Sequence, residues 1–116
     1  MLTIPTYLAE STIHGLGLFA GRSIQQGELV WRFDDRCDFR RDDFPKWLQR
    51  FVFTDSIGSA LDGDNARFMN HSDDPNTFSD RDIMELFAAR PIKAGNEITV
   101  DYHCENSKCD LSKGDI

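Results

Sequence analysis

The chain has 116 residues, 40% of them hydrophobic and 28% charged, with a formal net charge of −7. That length and composition suit one globular domain able to bury a core, and exclude a disordered or collagen-like chain. The surplus of carboxylates excludes a nucleic-acid surface of clustered Lys and Arg and favours a basic partner, and no run approaches the ~18 apolar residues of a membrane span. The start, Met1-Leu2-Thr3-Ile4-Pro5, has neither the basic start nor the apolar run of a signal peptide, so an intracellular location is expected. Cys37, Cys104 and Cys109 are an odd number with no disulfide-framework spacing, which reads as reduced thiols.

In chain order, Thr6–Ala9 reads as a strand. His14-Gly15-Leu16-Gly17-Leu18-Phe19-Ala20 follows, and its paired glycines let a backbone approach a ligand closely. No third glycine opens a helix and no βαβ unit surrounds it, so it is not the dinucleotide fingerprint; taken alone it is a tight turn. Leu29–Phe33 is a second strand. Asp43–Arg50 predicts a helix, capped by Asp42 or Asp43, with Pro45 in its first turn and Trp47, Leu48 and Phe51 sharing a face. Thr54–Asn65, with Gly58 and Gly63, reads as loop with room for one strand. Met84–Ala89 and Ile98–Tyr102 complete the strands, and Glu105–Ile116 is a polar tail. No linker divides the chain, so a single domain over 1–116 is expected, with the motif-bearing part at 13–102 and a polar tail at 103–116.

A weak internal repeat stands out. Leu18-Phe19-Ala20-Gly21-Arg22-Ser23-Ile24-Gln25-Gln26-Gly27-Glu28-Leu29-Val30 echoes Leu86-Phe87-Ala88-Ala89-Arg90-Pro91-Ile92-Lys93-Ala94-Gly95-Asn96-Glu97-Ile98. Matching the two glutamates makes Asn96 an extra residue in the second copy. Each copy reads as a strand, a glycine turn and a second strand, giving two similar β-hairpin corners in a β-rich domain.

The chemistry concentrates in Asn65-Ala66-Arg67-Phe68-Met69-Asn70-His71-Ser72-Asp73-Asp74-Pro75-Asn76 and in Gly95-Asn96-Glu97-Ile98-Thr99-Val100-Asp101-Tyr102. The Asn70 carboxamide offers a donor and an acceptor, and main-chain groups at His71 can meet a heterocycle edge. Arg67 is a planar fork suited to a carboxylate. Each also has a plainer role: His71 as a structural imidazole, Tyr102 as a half-buried sheet residue.

Together these two segments resemble the signature motifs of the SET domain, the fold of most protein lysine methyltransferases. The resemblance spans roughly Ile13 to Tyr102. It implies a mainly β, β-clip-like fold of short sheets around a C-terminal pseudoknot, with one short helix, in which the Tyr102 segment passes beneath the loop carrying Asn70 and His71. It implies S-adenosylmethionine as cofactor, held by Gly15, Leu16, Gly17, Arg67, Phe68, Asn70 and His71, and Tyr102 as the catalytic residue. Phe51, Phe53 and Phe78 become candidate walls of the lysine channel, alongside Phe68, and phenylalanines there would leave room for di- or trimethylation. The implied partner is a lysine-rich, histone-like protein or peptide, drawn to acidic clusters such as Asp34-Asp35 or Asp73-Asp74. A catalytically silent SET-fold peptide-binding module is the alternative.

The sequence also departs from the family's pattern. Asp73 stands where many members have cysteine. The cysteine-rich, zinc-binding segment that often follows the final tyrosine is represented only by Cys104 and Cys109; with Cys37 or His103 they could make four ligands, but the spacing matches no standard zinc pattern, so no metal is expected. Nothing aromatic follows Tyr102 to stack on adenine. A second copy of the chain could supply the missing wall, which makes a homodimer a candidate.

Overall fold

The two copies of the internal repeat fold face to face. Ile24 N–H donates to Ile92 O at 2.7 Å and Ile92 N–H donates back to Ile24 O at 2.9 Å. Around this centre the main-chain bonds recur with the roles exchanged. Gly27 N–H donates to Ala88 O as Gly95 N–H does to Ala20 O, and Ala88 N–H donates to Glu28 O as Ala20 N–H does to Asn96 O. Phe19 pairs with Glu97 just as Phe87 pairs with Leu29. The equivalence therefore runs without a gap through Leu29 and Glu97. The additional residue lies in the first copy, at the bulge between Leu29 and Trp31, and not at Asn96. Main-chain register sets the match, and it overrides the similarity of the two glutamates. Both corners turn on a glycine at positive φ, +83° at Gly27 and +88° at Gly95, a conformation other residues adopt only with strain.

The computed structural model describes residues 1–54, 58–80, 82–102 and 108–109. Its strands are β1 Thr6–Glu10, β2 Leu16–Ala20, β3 Leu29–Arg32, β4 Phe39–Arg40, β5 Phe53–Thr54, β6 Ser59–Leu61, β7 Asn70–His71, β8 Thr77–Asp80, β9 Glu85–Ala88, β10 Thr99–Val100 and β11 Lys108–Cys109. They make four small sheets: β1 with β2, the order β11-β8-β9-β3, the order β4-β6-β5, and β10 with β7. The mainly β architecture of short sheets expected from the sequence is the one observed.

Inward side chains of the paired repeat make the centre of the core: Leu18, Ala20, Ile24 and Val30 from one copy, Leu86, Ala88, Ile92 and Ile98 from the other, all buried. Each large aliphatic among them contributes ~1.5–3 kcal/mol by leaving water. Ile4, Trp31, Ala66 and Met69 extend the cluster towards the 3-10 turn Asn65–Phe68. The Asp64 carboxylate caps that turn, accepting from Ala66 N–H at 3.0 Å, and also takes Leu2 N–H at 2.8 Å.

β10 runs parallel to β7, Thr99 opposite Asn70 and Val100 opposite His71. This is the crossing of the pseudoknot. Two-residue strands cannot hold such a crossing by main-chain bonds alone, and buried side chains complete it. Asn76 acts as an extra rung: its Nδ2 donates to Glu97 O at 2.8 Å and its Oδ1 accepts from Thr99 N–H at 2.9 Å. Thr77 Oγ1 donates to Thr99 O at 2.7 Å, and Ser72 N–H donates to Val100 O at 3.0 Å.

One expectation changes. The helix expected over Asp43–Arg50 is a 3-10 turn, Lys46–Phe51, with no buried residue, and Trp47 is 75% exposed. Pro45 is extended (φ −55°, ψ 149°), and the Asp43 carboxylate that would cap a helix is paired with Arg41 at 2.9 Å. The one strand allowed within Thr54–Asn65 is β6, the middle strand of its sheet, where Ala60 and Leu61 are buried between β4 and β5. Its small residues gave no hydrophobic alternation to detect. The tail expected at 103–116 lies outside the described residues except for β11, whose backbone pairs with Ser79 and Asp80.

Asp62, at the end of β6, is only 8% exposed, and its Oδ1 has no partner. Burial, reinforced by the charge of Asp38, pushes its carboxyl up to about 7. Asp38 itself is satisfied: it accepts from Gly63 N–H at 3.0 Å, Asp34 N–H at 2.9 Å and the Met1 ammonium at 2.7 Å.

Replacing Asn76 by alanine strips partners from buried Thr99 N–H and Glu97 O and should cost about 2–4 kcal/mol. Thermal unfolding should show a midpoint lower by on the order of ten degrees; an unchanged midpoint would contradict the rung assigned to it. For Asp62 the native state holds its proton more tightly than the unfolded chain, whose value is about 3.9, so stability is lost as pH rises from about 4 through 7. Asp62→Asn should therefore match wild type near pH 4 and exceed it near pH 8, flattening the stability profile. Denaturant melts across that range measure it, and parallel profiles would refute the assignment.

Candidate functional site

Asn70 and His71 form β7, and Tyr102 lies two residues beyond β10, so the parallel pairing sets the three side by side. The Tyr102 N–H donates to His71 Nδ1 at 3.0 Å, and the two rings lie 5.4 Å apart. With Nδ1 accepting, the imidazole proton belongs on Nε2, which meets Asp73 Oδ1 at 2.7 Å. His71 is thus a stitch between the two crossing segments. The Tyr102 hydroxyl donates to Met69 O. The residue is 56% exposed although its hydroxyl end turns inward. Burial of that end, with a smaller contribution from the charge of Glu97, raises the phenol above its ordinary pKa. The group is therefore a neutral phenol at physiological pH, able to donate and accept hydrogen bonds but not to serve as a base.

Asn70 is buried and reaches the β1–β2 turn. Its Nδ2 donates to His14 O at 3.0 Å and Glu97 Oε2 at 2.8 Å, with Leu16 O at 3.4 Å. That turn is held by Ser11, whose N–H donates to Gly15 O at 2.8 Å and whose Oγ accepts from Ile13 N–H at 2.9 Å. Ser11 Oγ donates in turn to the Glu97 carboxylate, at 2.8 and 2.9 Å to its two oxygens. Gly15 has φ +45°, which calls for glycine. Gly17 is needed for space: a Cβ there would lie 2.8 Å from Glu97 Cδ and overlap the carboxylate.

The remaining candidates fall into separate packing groups. Phe51 and Phe68 meet edge to face at 5.4 Å, and the Arg67 guanidinium lies 5.8 and 5.9 Å from their ring centres. Arg67 Nε is buried without a hydrogen-bond partner. Phe53 packs edge-on against Trp31 beside the core, at 6.2 Å. Phe78 stacks on Phe87 across β8 and β9 at 5.4 Å. The structure links Leu16, Asn70, His71 and Tyr102 through the Asn70 amide and the β7–β10 crossing. Phe51 and Phe68 share one packing group, while Phe53 and Phe78 each have a different partner.

Ser11 and Glu97 are participants that sequence reasoning missed. Glu97 reads as the first residue of a strand, matched to Glu28, which instead pairs with Arg22 at the surface. The usable signal was the corrected register, which places Glu97 opposite Phe19 as Leu29 stands opposite Phe87. An open groove of about 420 Å³, lined in part by Glu10, Phe19, Arg90 and Glu97, lies on the same loops. Cys37 carries a free thiol, its pKa raised by burial and by Asp38. Among the described residues no three His, Cys, Asp or Glu side chains gather as a metal site, and no helix is long and apolar enough to cross a membrane. His103 and Cys104, and the side chain of Cys109, lie outside the described residues.

Known proteins share the fold of this chain. The SET domain matches residues 15–103. Human histone-lysine N-methyltransferase 2B is 34% identical over 119 aligned positions, covering 79% of this chain and 4% of its own length. The chain spans only 2–14% of the length of the curated relatives it matches. Among solved structures, the Neurospora SET domain protein DIM-5, a histone lysine methyltransferase, superposes with a TM-score of 0.61 at 25% identity, over 91% of this chain and 55% of DIM-5. KRYPTONITE, solved in complex with mCHH DNA, H3(1-15) peptide and SAH, superposes with a TM-score of 0.63 at 26% identity, over 89% of this chain and 24% of its own. This chain belongs to the SET domain family.

Proposed function

We propose that this chain transfers a methyl group from S-adenosylmethionine to the side-chain amine of a lysine in a basic protein or peptide. The observation that carries the proposal is that Asn70, His71, Tyr102 and the carbonyls of His14 and Leu16 come together from three distant parts of the chain. The SET family uses S-adenosylmethionine and its members bind histone peptides, which supports a histone-like lysine as substrate.

The residues present fit the cofactor. The main-chain carbonyls of His14 and Leu16 gather around Asn70, and such an acceptor-rich corner suits a molecule carrying an ammonium and a sulfonium. Leu16, 50% exposed, offers apolar surface beside it. In the proposed site Gly15, Leu16 and Gly17 contribute main-chain contacts, Asn70 and His71 directed hydrogen bonds, and Arg67 with Phe68 the neighbouring wall. When bound, the cofactor supplies an electrophilic methyl group on a positively charged sulfur.

The chain's own task is alignment more than proton transfer. Orientation of reacting atoms can contribute as much as ~7–11 kcal/mol to a barrier. Tyr102 is suited to it: its proton is committed to Met69 O, which leaves its lone pairs as acceptors for weak C–H···O contacts. As a neutral phenol it takes no proton from the amine. The lysine would instead arrive deprotonated, its pKa lowered by an apolar channel. Phe51, with Phe68 beside it, supports one wall of such a channel, and Phe53 and Phe78 are the further proposed wall residues.

The test is transfer of labelled methyl from S-adenosylmethionine to a lysine-rich histone H3 peptide. Wild type should label the peptide. Tyr102→Phe, which keeps the ring and removes the hydroxyl, should lower turnover by at least ~tenfold with cofactor affinity within about twofold of wild type. Full activity in that variant would remove Tyr102 from the mechanism. Peptide binding without any transfer by the wild type would favour the silent module.

A further inference from the structure

We propose that Glu97 is a positioning residue that fixes which way the Asn70 carboxamide faces, and so prepares the crevice for its ligand. The inference rests on the cofactor site proposed above. Oxygen and nitrogen of an amide side chain are close to the same size, so their order is decided by partners. A carboxylate and main-chain carbonyls can only accept. Glu97 Oε2, His14 O and Leu16 O all surround one end of Asn70, so that end must be the NH2. The amide oxygen is then turned to the opposite side. Without the carboxylate, which is the closest of the three acceptors at 2.8 Å, the preference for that orientation weakens.

The repeat supplies an independent reason to regard Glu97 as functional. The fold places equivalent residues opposite Phe19 and Phe87, Glu97 in one copy and Leu29 in the other. An apolar side chain is therefore compatible with the main-chain geometry of this slot. The second copy instead carries a half-buried carboxylate, with desolvation to offset. Two further features serve that carboxylate. Ser11 Oγ donates to it while accepting from Ile13 N–H, tying it to the turn that presents His14 and Leu16. Gly17 leaves the space it occupies, since any side chain there would overlap it. Ser11, Gly17 and Asn70 thus all shape themselves to Glu97, whereas Glu28 pairs at the surface with Arg22.

The discriminating variants are Glu97→Leu, which copies the first repeat, and Glu97→Gln. Glutamine keeps an oxygen for Asn70 Nδ2 and can turn its own NH2 to Ser11 Oγ. Calorimetric titration with S-adenosylmethionine should show affinity reduced about tenfold or more in Glu97→Leu and by no more than about threefold in Glu97→Gln. In a double-mutant cycle, adding Glu97→Leu to Asn70→Ala should cost nothing further, because the acid acts through the amide. Thermal melts should place Glu97→Leu close to wild type. Affinity unchanged in Glu97→Leu, losses that multiply in the double variant, or Glu97→Gln as poor as Glu97→Leu would each overturn the proposal.

A second readout needs no cofactor. Amide exchange at Ile13 and the side-chain NH2 signals of Asn70 should be protected in wild type and Glu97→Gln and lose protection in Glu97→Leu. Unchanged protection there sinks the positioning role whatever the titrations give. A folded wild type that binds no cofactor, with protection lost as expected, would instead refute only the cofactor reading.

Discussion

The candidate site depends on a parallel pairing two residues long. Thr99 and Val100 lie beside Asn70 and His71, and that pairing brings Tyr102 against His71. So short a pairing is marginal on its own, since a free strand of this length has little to hold it. It persists because the segments at either side are over-determined. Asn76 and Thr77 reach across with side-chain bonds to Thr99 and Glu97, and Ile98, just before the crossing, is wholly buried against Leu18 and its neighbours. The crossing is therefore an outcome of the repeat's packing. The paired corners fix where Ile98 must be, and the following residues then pass under β7.

This arrangement explains why polar residues cluster where a core would be cheaper. Asn70, Asn76, Thr77 and Thr99 are all buried, and each side chain is hydrogen-bonded. Within a threaded segment, side-chain amides and hydroxyls take the place of the ladder that longer strands would supply, at the net gain of ~0.5–1.5 kcal/mol usual for such bonds. The same amide that closes the crossing at Asn76 has a counterpart in Asn70, which reaches the β1–β2 turn. The two asparagines differ in what surrounds them: main chain on both ends of Asn76, acceptors crowded onto one end of Asn70.

Much of this was legible in the sequence, for identifiable reasons. Glycines at 15, 27 and 95 announce turns, and the Asn70-His71 and Asp101-Tyr102 pairs announce the crossing through a family resemblance. Propensity could not do that. Other features were hidden. The repeat was visible, but its register was misplaced because two glutamates look alike, and only main-chain bonds reveal that Glu97 corresponds to Leu29. Asp43 looks like a cap until Arg41 is seen to occupy it. Ser11 carries no motif at all; its role comes from lying next to a residue 86 positions away. Long-range partners of short polar side chains leave no local pattern to read.

The central claim is that a ligand enters the crevice between the β1–β2 turn and the crossing. The most direct measurement is to titrate S-adenosylmethionine into isotope-labelled protein and map the perturbed amide signals. Shifts concentrated on Gly15–Gly17, Asn70–His71 and Thr99–Tyr102 are the expected result. Shifts confined to the groove around Glu10, Arg90 and Asn96, or no shifts in a folded protein, would contradict it.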